Sequence, residues 1–144
     1  MKIISILFLT LFLGKSCDNE QKQDIKSAII EYTANTRGFY QKIVIQDQTI
    51  SVVTDRNSDA NSAPEKISDA NWKELIAAFQ EIDLEGLPNL KAPSERRFYD
   101  GAAIGNLKVT YKDKTYQTDG FDHGTPPIEI ARFVTKITSL AKKE

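Results

Sequence analysis

Hydrophobic and polar residues alternate along two stretches of this chain, and helical spacing takes over in two others. Across Gln41–Gln46 and Thr49–Thr54, Ile43 and Ile45, and Ile50 and Val52, take every second position, the signature of strands with one buried and one wetter face. Asp47-Gln48 between them is the length of a two-residue hairpin turn. That turn sets Ile45 opposite Ile50 and Ile43 opposite Val52, with Phe39 on the same side. Further on, Leu107, Val109 and Tyr111 alternate with Lys108, Thr110 and Lys112. A turn at Asp113-Lys114 would set Tyr111 against Tyr116 and Val109 against Thr118. Ile29–Ala34 is rich in strand-forming residues and predicts one more strand.

The helical spacing is carried by Trp72, Leu75, Ile76, Phe79 and Ile82, and again by Ile130, Phe133, Val134, Ile137 and Leu140. Ser68-Asp69 supplies an N-cap for the first helix. Thr125 is a candidate cap for the second, with Pro126 and Pro127 in its first turn and Lys142-Lys143 in its last. The order strand, hairpin, helix, hairpin, helix predicts an α+β domain. Its antiparallel sheet of about five strands carries both helices on one face.

The amino terminus follows neither pattern. Lys2 precedes an apolar run, Ile3–Leu13, then Gly14-Lys15-Ser16 and Cys17, the sole cysteine. As a helix this run spans about 16 Å against a hydrocarbon core of about 30 Å, too short to cross a membrane but suited to a cleaved export signal. The segment resembles the signal of a bacterial lipoprotein, with a relaxed lipobox of the kind found in Bacteroidetes-type bacteria. The resemblance implies a signal peptide over 1–16, lipidation of Cys17, and residence in the cell envelope at the outer membrane. Alternatives are release of a soluble protein by ordinary signal peptidase, or a free thiol that cross-links dimers. Asp18–Lys26 is charged and amide-rich, so a flexible tether is expected over 17–27 and a single α+β domain over 28–144. In plan that domain resembles small envelope lipoproteins of the same bacteria.

Removing 1–16 takes away Lys2 and Lys15, leaving seventeen basic against twenty acidic residues, a balance of about −3. That charge gives no footprint for nucleic acid. The chain also holds no G-x-S-x-G nucleophile motif, no glycine-rich phosphate loop and a single histidine. No cofactor and no metal are implied. Asp55, Asn57, Asp59 and Asn61 space oxygen ligands as a calcium loop does. Yet Ala60 stands where the turn glycine belongs, and Lys66 where the closing glutamate belongs.

A richer cluster follows from the second hairpin. Its register pairs Lys108 with Asp119 and Leu107 with Gly120, bringing Phe121–Gly124 alongside Ile104–Asn106. The long irregular stretch from Gly86 leads into the same region. Arg96, Arg97, Tyr99, Asp100, Asp122 and His123 therefore form a candidate binding rim. It suits an acidic ligand on the arginines, acid–base chemistry with Asp122 or Asp100 orienting His123, or a structural network in which His123 caps the last helix. The expectation is a lipid-anchored, non-enzymatic binding or protein-interaction module. Its partners are the membrane through the lipid, and an envelope protein or small acidic ligand. The alternative is a small hydrolase or lyase centred on His123 and Asp122.

Overall fold

The structure, a computed structural model, describes residues 22–58 and 62–142. Its centre is β1 (Ala28–Thr36), flanked by β2 (Phe39–Gln46) and β5 (Ile104–Tyr111). β3 (Thr49–Val53) and β4 (Glu65–Lys66) extend the sheet on one side, β6 (Lys114–Gln117) and β7 (Phe121–Asp122) on the other. Every pairing is antiparallel, in the order β4-β3-β2-β1-β5-β6 with β7 also on β5. The α+β class holds, with seven strands rather than about five. The two extra strands, β4 and β7, are two residues each.

The first hairpin has the expected register, Ile45 with Ile50 and Ile43 with Val52. Asp47 and Gln48 make its turn at φ of 50° and 61°, as a primed two-residue turn requires. The second hairpin corrects the sequence reading. Lys112 and Asp113, at φ of 49° and 63°, form the turn, one residue earlier than expected. Tyr111 consequently pairs with Lys114, and Val109 with Tyr116. A second shift follows along the same strands. The four-residue step from Val109 to Gly105 is answered by five residues, Tyr116 to Phe121. This is a β-bulge at Thr118–Gly120. Within it, Thr118 N donates to Leu107 O while Leu107 N donates to the Thr118 hydroxyl, both at 3.0 Å. A side-chain oxygen thus serves where a strand carbonyl would. Because side chains alternate with period two, one extra residue exchanges the two faces. Asp122 lies opposite Ile104, where His123 was expected, and Phe121 turns into the core opposite Gly105.

Two helices cover the inner face: α1 (Asp69–Gln80) and α2 (Ala131–Ala141). Ser68 caps α1 by accepting from Asn71 N. Thr125 does not cap α2. Its N–H donates to Asp122 O, and α2 follows a 3₁₀ turn, Ile128–Ile130, that begins after Pro127 without a side-chain cap. Trp72, Leu75 and Phe79 of α1 and Phe133, Val134 and Ile137 of α2 share one core with Ile30, Tyr32, Ile43, Leu107 and Val109 of the sheet. Each such fully buried large side chain contributes about 1.5–3 kcal/mol. The outer sheet face is polar, with Glu31 bridging Lys42 and Lys108 across three strands. No helix among the described residues is long and apolar enough to cross a membrane.

The end of the expected tether is docked. Gln23 Nε2 donates to the Phe79 and Ile82 carbonyls at the C-terminal end of α1, and Ile25 is buried in the core. Asp24 N donates to Tyr111 Oη. The chain therefore enters at the Tyr111 end of β1, about 26 Å from the Thr36 end at roughly 3.3 Å per residue.

Candidate functional site

At the far end of β1, the segment after the long loop forms a 3₁₀ turn, Arg96–Tyr99, in which Arg96, Phe98 and Tyr99 are exposed and the Arg97 side chain is largely covered. Asp122 holds it. This carboxylate is 1% exposed and accepts from the Ser94 hydroxyl (2.6 Å), Arg96 N (2.8 Å), Arg97 N (3.0 Å) and Arg97 Nη1 (3.2 Å). Burial alone would raise its carboxyl. The Ser94 hydroxyl, the two N–H groups and the Arg97 guanidinium outweigh burial and hold it at about 2 against an ordinary 3.8. Asp100 closes the turn in the left-handed region at φ 57°.

His123 faces the other way. Its Nδ1 is 2.7 Å from the Tyr32 hydroxyl, and its backbone N–H donates to Ala103 O. The imidazole packs against Tyr32 and Phe39 at centroid distances of 5.8 and 5.5 Å. Burial, then the charge of Lys142, lowers its pKa below 6.5. Burial pushes the Tyr32 phenol well above its ordinary value, so at neutral pH both groups are uncharged, and with the ring proton on Nε2 the imidazole Nδ1 accepts from the buried hydroxyl. Gly105 makes room for this pair. A Cβ there would stand 2.8 Å from Phe121 Cε2 and 2.9 Å from Tyr32 Oη.

The six residues of the sequence-predicted rim thus gather at one end of the sheet but divide into three groups. Asp122 and Arg97 form a buried network, and His123 belongs to the core-facing pair with Tyr32. Arg96, Tyr99 and Asp100 are exposed. The carboxylate of Asp122 is committed to the turn, so the geometry does not couple it to His123 as an acid–base pair.

Sequence reasoning missed three residues of this end. Phe98 is 71% exposed, beside Tyr99 at 73%, and Arg97 lies over the Phe98 ring at 4.3 Å. Arg37, on the β1–β2 turn, and Arg56, after β3, line an open groove of about 330 Å³ together with Arg97, Asp100 and Ile104. Both arginines are distant in sequence from the rim, and only strand pairing brings them there. Of the calcium-like spacing, Asp55 makes a local turn, accepting from Asn57 N through Oδ1 and from Ser58 N through its carbonyl. Asp59 and Asn61 lie outside the described residues, as do Cys17 and the export signal. No cluster of metal-ligating side chains occurs among the described residues.

No family model, curated protein or solved structure matches this chain.

Proposed function

We propose that this chain is a lipid-anchored protein of the cell envelope, held through Cys17, whose rim around Phe98 and Tyr99 binds a protein partner without catalysing a reaction. The observation that carries this reading is a mismatch between investment and burial. A fully buried carboxylate accepts three hydrogen bonds from Arg96 and Arg97 of the turn and a fourth from Ser94 just before it, while Phe98 and Tyr99 of the same turn stay in solvent. Such a turn adds nothing to the core, but it fixes two large aromatics in solvent beside arginines. Aromatic and arginine side chains on a rigid frame are the usual anchors of protein interfaces. Pre-ordering them lowers the entropy lost on binding.

The entry point of the chain supports the same reading. Lys22–Asp24 sit at the Tyr111 end of the sheet and the rim at the opposite end. A lipid at Cys17 therefore directs the aromatics away from the bilayer, toward a soluble or membrane-bound partner rather than into lipid. A photo-crosslinker at position 99, compared with one at Lys112 on the opposite end, tests this in cells. A discrete adduct from position 99 alone is expected. Adducts with lipid, or none at either position, would remove the proposal.

A further inference from the structure

We infer that the groove between the 3₁₀ turn and the β1–β2 hairpin seats a carboxylate group. This rests on reading the rim as a contact surface and names the chemistry of what enters it. Two guanidinium groups there are already positioned by the protein. Arg56 donates through Nη2 to Thr36 O at 2.6 Å and to the Asn35 side chain, and lies over the Tyr40 ring at 5.9 Å. Arg97 is fixed through Nη1 on Ser94 O and Asp122, over Phe98. Each is held by one terminal nitrogen, and among the described residues its other donors have no hydrogen-bond partner.

The third arginine, Arg37, has no side-chain partner among the described residues and stands at the lip of the groove. With Arg97 already paired to Asp122, Arg37 and Arg56 face one lining carboxylate, Asp100, against an apolar wall that includes Ile104. A volume of about 330 Å³ fits a small organic anion or the acidic side chain of a partner. Planar forks with free paired donors match carboxylate geometry. The anion comes either from a free small molecule or from an acidic segment of the bound partner, and the chemistry of the seat is the same.

Amide chemical shifts during titration with citrate, and separately with a capped tetraglutamate peptide, test the seat. Saturable shifts confined to Asn35–Arg37 and Ala102–Ile104 are expected with at least one probe, and which probe binds identifies the source. Arg37→Ala should weaken binding about fivefold and Asp100→Asn should tighten it about twofold, the scale of single exposed charges. Asparagine is well tolerated at the left-handed position of Asp100, and Arg37 is exposed, so both variants should melt like wild type. Arg132→Ala, a charge removed from the Glu81 pair on α2, should change nothing. Shifts that never saturate with either probe, or that ignore Arg37 and Asp100, would overturn the seat. If adducts still form at position 99 in that case, the contact-surface reading survives without it.

Discussion

The Tyr32 hydroxyl and His123 Nδ1 lie 2.7 Å apart across ninety-one residues of sequence, joining the central strand to the segment that ends the bulge. Tyr32 is wholly buried, so the hydroxyl needs this acceptor. Tyr32→Phe leaves the ring packing and removes the bond. The expected cost is about 1 kcal/mol, a drop of about 4 °C in Tm for a domain of this size, read by thermal melting.

The same pair makes stability depend on pH. His123 titrates below 6.5 in the folded protein, so between that value and its folded pKa the unfolded chain binds more protons. Its contribution is complete above about 6.5 and is lost as pH falls below it. Protonated, the imidazole no longer accepts from Tyr32. Urea titrations at pH 7.5 and pH 5.5 should show lower stability at the acidic value. His123→Asn should flatten that difference.

The core-facing architecture was legible because alternation and helical spacing are local. Ile43 and Ile45 against Ile50 and Val52 allow one register around a two-residue turn. The second hairpin was not legible to the residue, because Lys112, Asp113 and Lys114 are all polar and Tyr111 and Tyr116 suit either face. The bulge leaves no mark in the pattern. Its cause is Thr118 answering Leu107 with a hydroxyl, a tertiary choice. That single residue exchanged the expected sides of Asp122 and His123, and because consecutive strand residues face opposite ways in either register, the two serve separate networks. Arg37 and Arg56 could not be added to the rim without the order of strands.

Gly105 should tolerate no side chain. Gly105→Ala places a methyl group among Phe121 and Tyr32 at distances of 2.8 and 2.9 Å, in a strand held from both sides. Overpacking of this kind costs about 1–3 kcal/mol. A lowered denaturant midpoint with an unchanged slope checks it.

Asp122→Asn should loosen the rim more than the core. The amide keeps an acceptor but loses the charge that draws the Ser94, Arg96 and Arg97 donors together. Hydrogen exchange at Arg96 N and Arg97 N is expected to accelerate while Leu107 and Val109 stay protected. In the wild type the carboxylate's contribution is present above pH 3.8 and is lost as pH falls toward about 2. Acid unfolding should therefore begin at higher pH in a variant that weakens the core elsewhere, such as Tyr32→Phe.

The decisive measurement is made on Phe98→Ser/Tyr99→Ser, scoring Tm and partner capture by a photo-crosslinker at Arg96 in the same cells. If the turn exists to present its aromatics, the melting temperature stays within about a degree of wild type, as for exposed substitutions, and the discrete adduct disappears. A melting temperature lowered by several degrees, or an adduct that forms undiminished, would mean that the two rings serve the fold and that the rim is not where this protein meets its partner.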